Sequence, residues 1–387
     1  MSLELTVPVV RGPGSVHEIG RLALEAGGGK ALVVTDPGVA AAGHAGTVLA
    51  SLTAAGLDAR VYEGVHENPT SEDVYACAAA AKDMGADILI AVGGGSSLDT
   101  AKGCNFIYTN GGRMEEYRGL DKADRPMVPF IAVPTTGGTG SECQRFALIS
   151  DPDTHEKMAC GDIKALARVA VLDPLLTLTQ PAFVTACTGM DAVAHAVETA
   201  VTTAATPASL HLSHESYRLL NTHYPVVLAE PDHVEARSAV QFGAAMAGSS
   251  IELSMLGAAH SAANPLTARF NVAHGQAVGL MLPHVVSRNA ESSGVSDQYR
   301  ALGAHAGLFE PDLDVAPAVE ILAERLHDLL ALAGLAGPLT AFKITDADLP
   351  GLARDAAGQW TAQFNPARFN ADVFQQLYAS ALSLDGR

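Results

Sequence analysis

Basic residues are scarce in this chain. Against 42 aspartates and glutamates it has only 24 lysines and arginines, a formal net charge of −18. That balance argues against a nucleic-acid footprint or an anionic membrane surface as partner, although a local site can still oppose the global field. Aromatic residues are few, at 5%. Cysteine is limited to Cys77, Cys104, Cys143, Cys160 and Cys187, an odd number with no C-x-x-C pair, which fits free thiols in a reducing cytoplasm. No uninterrupted apolar run reaches membrane-spanning length, and the N-terminus has no basic segment leading into an apolar one. The expectation is a cytoplasmic, soluble protein. What is abundant is alanine and an apolar content of 48%, enough for well-filled, closely packed helical interiors over 387 residues. A chain of that length should hold two domains.

The first half alternates short apolar runs with helical stretches. Residues 31–36, 59–64, 87–92 and 129–133 read as strands, and 146–150 and 167–173 as further ones. The pattern predicts an α/β domain with a parallel sheet and ligands at the carboxyl ends of its strands. Beyond about Pro181 the β signals fade into long alanine-rich helical stretches such as 235–248 and 318–330. The reading is therefore an α/β N-terminal domain, 1–180, and an all-α C-terminal domain, 181–387.

Two loops follow strands in the first domain. Val92-Gly93-Gly94-Gly95-Ser96-Ser97 opens a helix, so its glycines let backbone approach an anion at a positive helix end. A pyrophosphate suits it, although the spacing is neither G-x-G-x-x-G nor a P-loop. Pro134-Thr135-Thr136-Gly137-Gly138-Thr139-Gly140-Ser141-Glu142 follows another strand and supplies hydroxyls. Asp36 ends the first strand of the alternation. It could accept hydrogen bonds from an adenosine ribose, favouring NAD over NADP, or it could simply cap a turn or helix before Pro37.

In the second domain, Asp191 and His195 lie four apart in Thr188-Gly-Met-Asp191-Ala-Val-Ala-His195-Ala-Val-Glu198, sharing one helix face. His260 and His274 bracket Pro265, which is expected to end a helix and turn the chain back. One carboxylate and three imidazoles suit a divalent transition metal, Fe(II) or Zn(II), and not calcium or magnesium. His211, His214, His223, His233, His305 and His327 read as ordinary core or surface histidines. His284 reads as a structural or substrate-lining residue, and Glu198 as packing near the ligand face.

These motifs together resemble the iron-containing, metal-dependent alcohol dehydrogenase family over essentially the whole chain. The resemblance rests on Ala170 to Asp173, Pro181, Ala186 to Glu198, the two loops, and His260 through Gly275 to His284. It implies the iron alcohol dehydrogenase architecture, shared with dehydroquinate synthase. It also implies metal binding by Asp191, His195, His260 and His274. NAD(H) would be placed against Asp36, Asn68, Gly94, Gly95, Ser96, Thr135, Thr136 and Lys157. The implied activity is interconversion of a small alcohol with its aldehyde or ketone, in a homodimer or larger homo-oligomer. The chain departs from several members where Asn264 stands in place of a histidine. An amide is no general base near neutral pH, so no catalytic residue beyond the ligands is assigned and Asn264 is read as substrate-binding. The alternative is a dehydroquinate synthase-like lyase that uses NAD transiently with a metal.

Overall fold

The computed structural model describes residues 4–153, 157–292 and 294–382. The chain divides into two compact units, one comprising Glu4–Gln180 and the other running onward from Pro181. Among the described residues of the first, nine strands alternate with five helices. The strands are β1 (Val9–Arg11), β2 (Lys30–Val34), β3 (Asp58–Tyr62), β4 (Ile88–Gly93), β5 (Gly119–Leu120), β6 (Phe130–Pro134), β7 (Phe146–Ser150), β8 (Lys157–Gly161) and β9 (Val169–Leu172). The helices are α1 (Ile19–Glu25), α2 (Pro37–Ala41), α3 (His44–Ala54), α4 (Ser71–Met84) and α5 (Gly95–Asn110).

Six strands pair in parallel in the order β1-β9-β6-β4-β2-β3. Strands β4 and β6 are buried throughout, as a sheet covered on both faces requires, so their sequences are continuous apolar runs without alternation. From β2 the chain moves outward to β3 and then returns to place β4 on the other side of β2. That reversal makes a topological switch point at the carboxyl ends of β2 and β4, where open α/β sheets bind ligands. Not anticipated from the sequence is a second sheet, β5-β8-β7, in which β7 and β8 run antiparallel. It takes β7, one of the expected strands, out of the main sheet.

The second unit is helical throughout its described residues apart from turns and short 3-10 segments. Its helices are α6 (Ala182–Thr199), α7 (Pro207–Ala229), α8 (Val234–Ser254), α9 (Ala258–Phe270), α10 (His274–Asn289), α11 (Val295–His305), α12 (Val315–Leu332), α13 (Leu349–Ala357) and α14 (Ala371–Leu382). They share one buried core rich in alanine, which lets helix axes approach closely. Pro265 does not end its helix. α9 continues to Phe270, where Asn271 adopts the left-handed conformation that closes it. The missing N–H of Pro265 costs one helical bond, but Ala262, Ala263, Pro265 and Leu266 are all buried, and tertiary packing outweighs that loss. Prolines also lie inside α7 and α10. No helix among the described residues is long and apolar enough to cross a membrane.

Candidate metal centre and nucleotide loops

Helix α6 carries Asp191 and His195 one turn apart, α9 carries His260 in its first turn, and α10 begins at His274. All three imidazoles direct Nε2 at one atom, Asp191 Oδ1. The distances are 3.3 Å from His260, 3.5 Å from His195 and 3.7 Å from His274. Two ligands of a tetrahedral ion at about 2.1 Å stand about 3.4 Å apart, so the spacing fits one cation shared by this donor set. The His195 and His260 rings stack with centroids 4.7 Å apart, and the His260 and His274 rings are tilted at 5.4 Å. Asp191, His195 and His260 are buried and bring their ligand atoms within 4.8 Å of one another. His274 stands slightly apart and keeps 30% of its side chain exposed, which marks the open side of the centre.

The electrostatics match a cation site. Burial alone would push the Asp191 carboxyl up, yet His195, His260 and His274 hold it well below the ordinary carboxylate range. Burial works against a charged His260, but the Glu198 and Asp191 carboxylates outweigh it and raise His260 to about 9. Without metal, then, the cluster holds protons. A divalent ion would displace them, as expected for imidazole and carboxylate ligands.

Glu198 is the residue that sequence reading undervalued. Its Oε2 accepts from His260 Nδ1, and its Oε1 accepts from the Ala259 backbone N–H at 2.7 Å. The first bond keeps a proton on Nδ1, so that a metal displacing the other proton would meet His260 through Nε2. The Ala259 bond satisfies an N–H in the first turn of α9 that no helical carbonyl reaches. Position 198 lies two turns from Asp191 on α6, a local hint, but its partner is 62 residues away. Glu198→Gln offers one acceptor oxygen to two donors, so it must lose one bond. Metal affinity should fall about 10–100-fold, read by competition with a chromophoric chelator; an unchanged affinity would show that His260 is oriented by something else.

The glycine turn lies at the switch point of the sheet, at the carboxyl end of β4, and the Pro134–Glu142 loop follows the neighbouring strand β6. Gly93 has φ +155, and a Cβ there would meet Ser97 Oγ at 2.3 Å, so the turn from β4 into α5 requires glycine. Gly94 caps α5, and the N–H groups of Gly95 and Ser96 fall in the first turn, where helical geometry provides no acceptor. The neighbouring loop closes over this turn. Added Cβ atoms at Gly94 and Gly95 would lie 3.3 Å from Thr136 Cγ2 and 3.1 Å from Thr139 Cγ2. Thr136 Oγ1 is buried with no hydrogen-bond partner among the described residues, and Thr135 N donates to Gly93 O at 3.0 Å. A bare glycine surface beside an orphaned hydroxyl fits a phosphate-bearing ligand.

Asp36 plays the capping role, with Oδ1 accepting from Val39 N at 3.0 Å at the start of α2. Its Oδ2 accepts from Ser97 Oγ at 3.3 Å, so it also touches the glycine turn. Asn68 and Lys157 come together, Lys157 Nζ donating to Asn68 Oδ1 at 3.4 Å. Buried Lys102, on α5, pins the second loop: Nζ donates to Ser141 O, Ser141 Oγ and Phe146 O at 2.9, 2.7 and 2.7 Å. Beside it, burial raises the Glu142 carboxyl to about 7. Asn264 Nδ2 donates to Gln359 Oε1 at 3.0 Å, which leaves its Oδ1 available as an acceptor. His284 packs edge-on against His327 at 6.0 Å and stands outside the ligand group. Phe270, the last residue of α9, is partly buried against the helical core.

A parallel sheet with a glycine turn at its switch point, joined in one chain to a carboxylate–imidazole centre, defines a metal-dependent dehydrogenase class. The pattern described as iron-containing alcohol dehydrogenase matches residues 7–174, and that of the Fe-containing alcohol dehydrogenase family, C-terminal, matches 185–382. The NAD-dependent methanol dehydrogenase of Bacillus methanolicus is 31% identical over 373 residues, covering 96% of this chain and 97% of its own. A crystal structure of 1,3-propanediol oxidoreductase superposes with TM-score 0.94 at 28% identity, over 98% of this chain and 100% of that one. Sulfoacetaldehyde reductase from Bifidobacterium kashiwanohense, in complex with NAD+, gives TM-score 0.88 at 25% identity over 99% of each chain. The chain belongs to the iron-containing alcohol dehydrogenase family. It is an oxidoreductase acting on small alcohols or aldehydes.

Proposed function

We propose that this chain is an NAD(H)-linked, metal-dependent dehydrogenase interconverting a small alcohol and its aldehyde or ketone. The observation that carries the reading is the single Asp191 oxygen faced by three imidazole nitrogens at 3.3, 3.5 and 3.7 Å. Asp191, His195, His260 and His274 would hold one divalent ion, Fe(II) in preference to Zn(II). Residues 1–180 serve as the dinucleotide-binding domain and 181–387 as the metal and substrate domain.

When bound, the metal supplies Lewis acidity at a substrate oxygen, and the nicotinamide accepts or donates hydride. The remaining work falls to side chains. Gly94, Gly95 and Ser96 present backbone N–H groups to the pyrophosphate. Thr135 and Thr136 close the other side, with the unpartnered Thr136 hydroxyl as a ready donor. Asp36 accepts from the ribose and repels a 2′-phosphate, favouring NAD, while Asn68 and Lys157 bind further along the nucleotide. Asn264, held by Gln359, orients a substrate hydroxyl through its carbonyl oxygen without taking a proton. The proton therefore leaves through water or the ribose hydroxyls.

The five cysteines are free and buried, which supports a cytoplasmic location. A homodimer or larger homo-oligomer is the assembly we expect, and light scattering of the loaded protein tests it. The functional test is an NAD-linked screen of short alcohols, diols and aldehydes after Fe(II) or Zn(II) reconstitution, with metal content measured in parallel. Turnover should track metal content, and NADP should serve poorly. Equal turnover after strict metal removal would overturn the reading.

A further inference from the structure

Asn264 lies one turn beyond His260 on α9, so the two side chains share a face of that helix. Asn264 is half-buried, and its Nδ2 donates to Gln359 Oε1 at 3.0 Å. Gln359 in turn directs Nε2 at the carbonyl oxygen of Asp355, near the end of α13, at 3.5 Å. A backbone carbonyl can only accept, so the end of Gln359 facing it is the NH2 group and the end facing Asn264 is the oxygen. That oxygen also can only accept, so Asn264 must turn Nδ2 to it, and Oδ1 is left for a ligand. The polarity of two amides is thereby set from one main-chain atom. The backbone beneath them is held as well. Gln359 leads into a short 3-10 segment, Trp360–Phe364, that is tied to α9. Buried Thr361 and Ser261 share a hydroxyl hydrogen bond of 2.8 Å, and Asn365 Oδ1 accepts from Ala258 N at 3.2 Å. Positions 359, 361 and 365 thus meet 264, 261 and 258, and the segment runs antiparallel along the helix that carries His260.

We propose that Gln359 is a positioning residue of the dehydrogenase site: by fixing Asn264 as an acceptor, it makes the site favour the hydroxyl form of the substrate over the carbonyl form. The inference rests on the dehydrogenase reading above, in which Asn264 meets the substrate oxygen. A hydroxyl donates to Oδ1, whereas a carbonyl oxygen has no proton to offer and meets a second acceptor. Leaving such a group unmatched and withdrawn from water costs about fivefold or more in affinity. An imidazole at position 264 could serve both forms by exchanging tautomers, since either ring nitrogen can donate or accept. The amide of this chain, once pinned by Gln359, serves one.

The test inverts the polarity at position 359. Gln359→Arg offers Asn264 only donors, so its amide must turn and present Nδ2 to the substrate. Gln359→Glu keeps an acceptor oxygen toward Asn264 and should preserve the native preference. The metal-loaded chain is titrated with 1-propanol in the presence of NADH and with propanal in the presence of NAD+, combinations in which no hydride can pass. Quenching of the one tryptophan, Trp360, which adjoins Gln359 and is 38% exposed, reads each dissociation constant. Gln359→Arg should tighten propanal by at least about fivefold against 1-propanol, and Gln359→Glu should keep the native ratio. Tighter carbonyl binding is a gain that damage to the fold does not produce. Combined with Asn264→Ala, Gln359→Arg should change nothing, because no amide remains to turn. An unchanged ratio in Gln359→Arg overturns the inference, and so does equal weakening of both ligands or a tightening that survives Asn264→Ala. Absence of NADH formation from short alcohols by the reconstituted native chain sinks the dehydrogenase reading and this inference with it. Turnover with an unchanged ratio sinks the inference alone.

Discussion

Asp191→Asn should fold but retain no stoichiometric metal after dialysis, and its alcohol-dependent turnover should collapse. The substitution keeps the shape of the side chain and removes the one carboxylate among the described residues that faces all three imidazoles. Breaking a buried charge cluster by removing one partner costs about 3–5 kcal/mol. Expressed as binding, that is about 10²–10⁴-fold in metal affinity. The loss should exceed that for His274→Ala, because His274 is the most exposed and most distant member of the set. Atomic emission of the dialysed protein measures metal content, and NADH formation measures turnover. Full metal retention by Asp191→Asn would mean that the carboxylate is a spectator, and the centre would have to be rebuilt around other ligands.

The second large effect concerns a residue with no side chain at all. A Cβ on Gly275 would lie 1.9 Å from the Cys187 carbonyl oxygen and 2.6 Å from its carbonyl carbon, both backbone atoms of α6. One turn further along α10, a Cβ on Gly279 would lie 2.7 Å from Met190 Cγ. The two glycines form the stripe along which α10 lies against α6, and that approach brings His274 beside Asp191. Overpacking a core usually costs about 1–3 kcal/mol. A clash with rigid backbone cannot be relieved by a rotamer change, so Gly275→Ala should cost at least the top of that range and displace α10. The expected result is a lower melting temperature together with loss of metal, although no ligand has been changed. Gly46→Ala is the control. A Cβ there meets nothing within 4 Å inside α3, and an added methyl in an open helix position stabilises by roughly 0.4–1 kcal/mol. If Gly275→Ala melted like Gly46→Ala and kept its metal, the close approach of the two helices would not be what builds the centre.

The features legible in the amino-acid order are those whose causes are local. Apolar runs on both sides of residue 90 have to be strands buried on two faces. Asp191 and His195 four apart on a helix must share a face, and a glycine turn ahead of a helix must expose N–H groups. Asp36 illustrates a local cause with two outcomes: its cap on α2 follows from the Asp-Pro order, whereas its contact with Ser97 depends on β2 and β4 lying side by side. Pro265 shows the limit of a local rule, since burial of the surrounding turn carries α9 straight through it.

Sequence alone settled which residue types could bind a cation and which segments could be strands or helices, because 3.6-residue and two-residue periods act within a few positions. Tertiary structure decided which of fourteen histidines share an oxygen, and that Glu198 aims His260. Those outcomes depend on how closely helices distant in sequence can approach, and bare glycine backbone and alanine packing set that distance.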